Sequence, residues 1–203
     1  MTLGNRPVTR LLALVLFTLL TGCAGVQAPP ASQNDQLRGN PGHDWTLEGK
    51  AAIRSGESSN TAYIDWQQQG ERFKIIVSGP LGQGGARIEG GPGLVSLSLP
   101  GEEQSLTGPN PESVMQQALG WHLPVSQASY WVTGRPAPDL PSQPLSSGGP
   151  GFEQQGWQVG ILRLTDISDQ LTLPSRLDFR YADIRIRLVI GHWSLEPQKT
   201  QPE

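Results

Sequence analysis

Residues 62–89 decide the fold, and they read AYIDWQQQGERFKIIVSGPLGQGGARIE. Apolar residues alternate with polar ones in three short runs, whose apolar members are Ala62, Ile64 and Trp66, then Phe73, Ile75 and Val77, then Ala86 and Ile88. Gly70 and the Gly79-Pro80 pair separate the runs. A period of two with turn residues between the runs is typical of antiparallel strands that bury one face.

The same alternation continues on both sides of this stretch. Residues 45–53 precede it and residues 95–99 follow it, each with apolar residues at every second position. A further strand is predicted at 104–107, which gives six short strands about ten residues apart with no helix between them. Alternation returns nearer the C-terminus at 157–161, 177–181 and 184–190. This spacing indicates an antiparallel meander.

A helical segment interrupts the strands. Residues 110–112 form a helix start, with an N-cap asparagine, a proline at the first helical position and a glutamate in the first turn. Val114, Met115, Ala118 and Leu119 then fall on one apolar face of the helix. Gly120 follows them and is predicted to end the helix, since glycine is common just after a helix C-terminus. A second short helix is predicted from about Ser126 to Val132, and a loop at 136–151 follows it.

Strands, a helical interruption and further strands predict a mainly β fold. The predicted architecture is an incomplete antiparallel β-barrel, or curled sheet, with the short helices over one mouth. Two interpretations of the helices remain open, since they either plug a filled core or form a lid over an apolar cavity.

Composition supports both interpretations. The chain has six tryptophans against four phenylalanines, and Met115, Trp121 and Trp131 lie in or near the helical segment, where adaptable apolar groups suit a lipid ligand. Tryptophans also fill ordinary cores. On strand parity and helix face, the residues that would line a cavity are Leu47, Ile53, Ile64, Trp66, Ile75, Val77, Ile88, Leu97, Val114, Met115, Trp121, Trp131, Val159, Ile161, Phe179, Ile186 and Leu188.

The N-terminus is typical of a cleaved export signal. Two arginines precede an apolar run at 11–20, which is about half as long as a membrane-spanning helix needs. Gly22 and Cys23 follow, and a small residue before a lone cysteine resembles the lipobox of bacterial lipoproteins. The sequence therefore predicts a signal peptide at 1–22. It also predicts lipidation of Cys23, with a diacylglyceride on the thiol and an acyl chain on the new amine.

Composition divides the remainder into three parts. Residues 23–44 are rich in Pro, Ser, Gln, Asn and Gly, a composition typical of a flexible tether. Residues 45–195 are predicted to form the folded domain, and residues 196–203 a polar tail. Cys23 is the only cysteine, so the domain has no intramolecular disulfide and depends on packing for its stability.

Several classes of function find no support in the residues. The histidines, His43, His122 and His192, have no metal-ligand spacing, no GxSxG motif is present, and the glycine runs lack the strand-to-helix context of a phosphate loop. The net charge is −3 and no basic block stands out, which argues against nucleic acid as a partner and against purely electrostatic adhesion to lipid. The sequence therefore predicts a protein that is not an enzyme, with no catalytic residue, no metal and no noncovalent cofactor.

One turn stands out, because Leu81 is the only large side chain between Ser78 and Gly85. Pro80 and Gly82 bracket Leu81 in a tight turn and leave it few neighbours. Leu81 either folds back over the barrel rim or points outward as a hydrophobic tip that dips into a membrane. Burying one leucine gives about 1.5–3 kcal/mol, which orients a tethered protein but does not anchor it.

Six segments together resemble the LolB family of outer-membrane lipoprotein receptors in Gram-negative bacteria. They run in the family's order from residue 45 to residue 193 and read WTLEGKAAIR, AYIDWQQQGERFKIIVSGPLGQGGARIEGGPG, GWHLPVSQASYWVTGRPAP, QQGWQV, LPSRLDF and LVIGHW. The resemblance implies an incomplete antiparallel barrel with a helical lid and an apolar cavity. It places the family's protruding, membrane-inserting residue at Leu81 and a closing tryptophan at Trp193, whose parity opposes that of Ile190.

The resemblance also implies a function. The protein would receive acylated lipoproteins from the periplasmic carrier LolA and release their acyl chains into outer-membrane phospholipid, without ATP, by graded affinity. It would act as a monomer on the periplasmic face of the outer membrane. In Gram-negative lipoproteins an alanine after the lipidated cysteine favours export to that membrane, and Ala24 occupies this position. The residues themselves leave open a second function, that of a structural outer-membrane lipoprotein with a filled core that acts as an assembly or interaction module.

Overall fold

One antiparallel sheet organises the described residues, which are 37–80, 85–119 and 124–195 of the computed structural model. The predictions for Cys23, Leu81, Trp121, the signal peptide and the tail lie outside these ranges. The strands are β1 (Asp44–Ser55), β2 (Ser58–Gln69), β3 (Arg72–Ser78), β4 (Gly85–Gly91), β5 (Leu94–Ser98), β6 (Leu106–Gly108), β7 (Ser142–Pro144), β8 (Gly151–Gln154), β9 (Trp157–Ser168), β10 (Leu171–Tyr181) and β11 (Ile184–Ser194). The helices are α1 (Pro111–Leu119) and α2 (Val125–Trp131).

The strand order is β6-β5-β4-β3-β2-β1-β11-β10-β9-β8-β7, so the sheet is a meander in which the first and last strands pair. β6 and β7 are its two edges, and both helices lie between these two strands in the sequence. The sheet therefore curls without closing. The predicted mainly β fold, an open curled antiparallel sheet with two short helices, is confirmed.

Alternating strand directions place the hairpin turns at two opposite ends of the sheet. The turns at 56–57, 155–156 and 182–183 lie at one end, as do Ser78 and Gly85, which end β3 and begin β4. We call this the distal end. β1 begins and β11 finishes at the opposite end, which we call the proximal end.

The concave face of the sheet carries the core. Inward-facing residues such as Leu47, Val159 and Leu177 are completely buried, as the period-two pattern predicts. Val114 of α1 and Trp131 of α2 belong to the same hydrophobic cluster as these strand residues. Both helices therefore cover the concave face, and the convex face carries the polar members of each strand.

A β-bulge decides the orientation of Trp193. Glu48 pairs with His192 and Gly49 pairs with Ile190, so Gly191 is an extra residue in β11. The extra residue reverses the parity of the following positions and turns Trp193 inward. There its indole Nε1 donates to the backbone oxygen of Pro174 at 2.9 Å.

The helix start predicted at Asn110 is present, since Asn110 Oδ1 accepts a hydrogen bond from the backbone N–H of Ser113 at 2.9 Å. The predicted loop at 136–151 contains a short strand, β7, which pairs with β8. A two-residue turn with positive φ at Gln155 (51°) and Gly156 (78°) joins β8 to β9, as in a type I′ hairpin.

Residues that the sequence places in the tether pack against the domain. Leu37 contacts the hydrophobic core. The backbone N–H of Arg38 donates to the Thr172 hydroxyl at 2.8 Å, and the Thr172 N–H donates to the backbone oxygen of Arg38 at 3.1 Å. Arg38 also forms an ion pair with Asp166. All described residues belong to one compact unit, Ser32–Glu203.

Candidate lipid-binding interior

Most of the predicted lining residues meet in one hydrophobic cluster on the concave face. They come from eight strands and both helices, and all of them are buried. They are Leu47, Trp66, Ile75, Ile88, Leu97, Val114, Met115, Trp131, Val159, Ile161, Phe179 and Leu188. Apart from the indole N–H groups of Trp66 and Trp131, these side chains are apolar, so their surroundings disfavour ions and suit hydrocarbon.

The other described lining residues are only half-buried. They form two cross-strand pairs, Ile53 with Ile186 and Ile64 with Val77. Ile53, Val77 and Ile186 all lie within three residues of the distal end of their strands. The concave face therefore presents accessible apolar surface toward its distal end.

Three tryptophans close the concave face near its proximal end. The ring centroid of Trp45 lies 5.4 Å from that of Trp66 and 5.5 Å from that of Trp193, the latter in edge-to-face geometry. All three side chains are buried. Together with the half-buried residues, this packing makes the interior tight at its proximal end and accessible at the distal ends of β1, β3 and β11. The distal end of β9 is covered by buried Trp157, which packs against Trp131 and Tyr181.

Two buried glutamines satisfy the indole groups inside the sheet. Gln68 Oε1 accepts a hydrogen bond from Trp66 Nε1 at 2.9 Å, and Gln154 Oε1 accepts one from Trp131 Nε1 at 2.7 Å. Because an amide carries no charge, each indole is satisfied without an ion inside the apolar region. Sequence reasoning missed both glutamines, although Gln68 has the same strand parity as Trp66 and so marks a polar group on the inner face.

Gln154 also fixes the chain that follows α2. Its Nε2 donates to the backbone oxygens of Ala137 at 2.9 Å and Leu140 at 3.0 Å, and its Oε1 accepts from the Ala137 N–H at 2.9 Å. One buried side chain therefore connects α2, the segment after α2 and β8.

A separate open groove of about 580 Å³ lies on the convex face, across β11, β1, β2 and β3. Its lining includes the charged residues Glu48, Lys50 and Asp65 together with His192. Burial raises the pKa of Asp65, repulsion from Glu48 raises it further, and Lys74 acts in the opposite direction. This charged lining distinguishes the groove from the apolar interior. Of the residues predicted to line the interior, only Ile64 also borders the groove.

The described residues contain no group of three or more histidine, cysteine, aspartate or glutamate side chains able to hold a metal ion. His43 packs edge-to-face against Tyr130, with ring centroids 5.3 Å apart, while His192 lines the groove on the convex face. Within the same ranges, no helix combines the length and hydropathy needed to cross a bilayer.

Known proteins resemble this chain in sequence. The family described as "Outer membrane lipoprotein LolB" matches residues 43–193. The protein named "Outer-membrane lipoprotein LolB" from Cellvibrio japonicus is 37% identical over 195 residues, which cover 91% of this chain and 96% of that protein. A protein of the same name from Chromohalobacter salexigens is also 37% identical, covering 91% of this chain and 89% of its own.

A solved structure of a LolA superfamily protein from Nitrosomonas europaea has a TM-score of 0.45 and 13% sequence identity. The alignment covers 80% of this chain and 90% of the other. The family match spans the whole sheet from β1 to β11 except its last residue, and the relatives align over nine-tenths of the chain. The chain belongs to the LolB family of outer-membrane lipoproteins.

Proposed function

We propose that the protein receives acylated lipoproteins from the periplasmic carrier LolA and transfers their acyl chains to the outer membrane. The observation that carries this proposal is the apolar concave face, which is closed by tryptophans proximally and only half-buried at Ile53, Val77 and Ile186 distally. Acyl chains would enter at the distal end and displace the helical cover formed by α1 and α2.

The energetics of the cargo require such a site. A lipoprotein carries about three acyl chains of roughly sixteen carbons, and each buried methylene is worth about 0.8 kcal/mol. Exposing all of them to water would cost on the order of 30 kcal/mol. The cargo therefore has to pass from one apolar cavity to another. Transfer without a chemical step takes its direction from affinity, with this protein binding the acyl chains more tightly than the carrier does.

Two further parts of the proposal concern attachment to the membrane. Lipidated Cys23 holds the protein at the outer membrane, and Leu81 in the turn after Pro80 inserts into the bilayer during delivery. A coil with the length of residues 24–36 has a typical reach of about 20 Å, which keeps the domain beside its target membrane. Leu81 then orients the tethered domain.

A transfer assay tests the proposal. The domain is mixed with carrier loaded with an acylated lipoprotein, and movement of the cargo to the domain and then to liposomes is followed by pull-down and flotation. We expect cargo to leave the carrier and to float with liposomes only when the domain is present. Cargo that stays on the carrier under all conditions would contradict the proposal.

The close packing of most lining residues favours a second function, a structural lipoprotein whose filled core supports a docking surface for an assembly partner. A fluorescent fatty-acid probe separates the two functions. Saturable fluorescence enhancement supports a cavity that opens to acyl chains, whereas a filled core gives none. The probe requires neither carrier nor cargo, so this result is independent of the transfer assay.

A further inference from the structure

Six arginines share the convex face of β1, β9, β10 and β11, and we call this surface the arginine face. Its members are Arg54, Arg163, Arg176, Arg180, Arg185 and Arg187. The pairing registers place Arg54 opposite Arg185, Arg185 opposite Arg180, and Arg176 opposite Arg163. Five of the six therefore lie directly opposite another arginine, and Arg187 lies opposite Asp178. This arrangement concentrates positive charge in a chain whose net charge is −3.

Asp178 holds three of these arginines together. Its carboxylate accepts a hydrogen bond from Arg180 Nε at 2.6 Å and from Arg185 Nε at 2.8 Å, and it lies 3.4 Å from Arg187 Nε. The Asp178 side chain is only 4% exposed, while the three arginine side chains are 41–54% exposed. Burial raises the pKa of this carboxyl, but hydrogen bonds from Arg185 and Arg180 outweigh burial and lower the pKa overall, so Asp178 stays ionised.

The arginine face keeps an excess of positive charge. One buried carboxylate serves three guanidinium groups, and Arg54, Arg163 and Arg176 make no ion pair within the described ranges. The face therefore presents an array of partly oriented N–H donors to solvent. Guanidinium forks match the oxygen pairs of phosphate groups, and they are less strongly hydrated than lysine ammonium groups.

We propose that the arginine face binds the phosphate groups of anionic phospholipids at the membrane surface. Charge complementarity is the first reason, since six cations on one face of an otherwise acidic protein fit a surface of phosphates. Position is the second reason. Arg54, Arg180 and Arg185 lie near the distal end, where the half-buried residues of the concave face also lie. Binding there would bring the accessible end of the interior against the bilayer.

Cosedimentation with vesicles tests this proposal. The compact unit Ser32–Glu203, which lacks the lipidated cysteine, is mixed with vesicles of phosphatidylcholine alone or of phosphatidylcholine with phosphatidylglycerol. We expect binding that requires phosphatidylglycerol and that falls as salt is raised. The double variant Arg54→Gln/Arg176→Gln should bind phosphatidylglycerol vesicles more weakly by a factor on the order of ten. Neither arginine contacts Asp178, so thermal unfolding should be unchanged.

The matched control is Arg72→Gln/Arg87→Gln, which removes two exposed arginines from β3 and β4 and changes the net charge equally. This control should bind vesicles like the wild type. Equal binding by the two double variants, or equal binding to both kinds of vesicle, would overturn the proposal. Normal vesicle binding by the Arg54→Gln/Arg176→Gln variant, combined with slower cargo transfer from the carrier to this variant, would also overturn the proposal. The arginine face would then be a docking surface for an acidic protein. The vesicle assay contains no cargo, so its outcome does not depend on the proposed transfer function.

Discussion

Trp131 donates its indole N–H to Gln154 Oε1 at 2.7 Å, and the two side chains are only 1% and 2% exposed. The same glutamine satisfies the backbone of the segment that follows α2. The position of α2 over the concave face therefore depends on one buried amide. This relationship couples the cover of the interior to the short β8 strand, which lies next to the edge strand β7.

We expect Gln154→Leu to lower the free energy of unfolding by about 2–3 kcal/mol, because it leaves a buried indole N–H and buried backbone groups without partners. Urea unfolding followed by tryptophan fluorescence measures the effect. Gln170→Leu is the control, since Gln170 is exposed and its replacement should change stability by less than about 0.5 kcal/mol. Equal stabilities for the two variants would contradict the role of Gln154.

Asp178→Asn should lower the free energy of unfolding at neutral pH by about 2 kcal/mol, since three guanidinium groups lose their common carboxylate. The pKa of Asp178 is lowered in the folded protein. Its contribution is therefore fully present above the unfolded pKa of about 3.9 and is lost as pH falls through the folded value. Urea unfolding at neutral and acidic pH should show the gap between wild type and variant closing in acid. A gap of constant size would refute this assignment.

Leu81→Glu should leave folding and cargo uptake intact and slow the delivery of cargo to liposomes. A charge on the proposed tip cannot insert into hydrocarbon, whereas the proposed uptake takes place at the interior. Leu94→Glu is a matched control, because Leu94 is 66% exposed at the start of β5, at the proximal end. Delivery at the wild-type rate by the Leu81 variant, measured by liposome flotation, would remove the tip from the mechanism.

Ile186→Asn should weaken saturable binding of a fluorescent fatty acid about tenfold, because it places an amide on the accessible part of the concave face. Val189→Asn changes an exposed residue on the convex face of the same strand and should bind the probe like the wild type. Titrations with both variants separate an effect on the interior from a general effect on β11. If both variants lost binding equally, the distal concave face would not be the site.

Much of the fold was predictable from local patterns. The inner face of β1 to β5 follows from alternation alone, and the start of α1 follows from Asn110 and the proline after it. These features depend on residues close in sequence, where backbone geometry and side-chain chemistry act directly. The resemblance of six dispersed segments to the LolB family was confirmed for the same reason, since their order and spacing follow the strands.

Other features depend on partners that are distant in sequence. The orientation of Trp193 depends on the register between β1 and β11, because Gly191 is an extra residue only relative to Glu48 and Gly49. The β8 strand contains buried Gln154, whose partner Trp131 is far upstream. The arginine face could not be predicted for the same reason. Net charge and linear runs of charge do not reveal residues that come together only when β1, β9, β10 and β11 pair.

The pairing of β1 with β11 makes both ends of the domain emerge on the side away from the accessible interior. β1 has twelve residues and is about 40 Å long. A fully extended chain of thirteen residues, the number between Cys23 and Leu37, spans about 45 Å, so a lipid anchor of the proposed kind on Cys23 leaves just enough chain for the distal end to touch the same bilayer. The number of residues in this linker, far more than their identity, therefore sets whether the molecule can turn its opening toward the membrane.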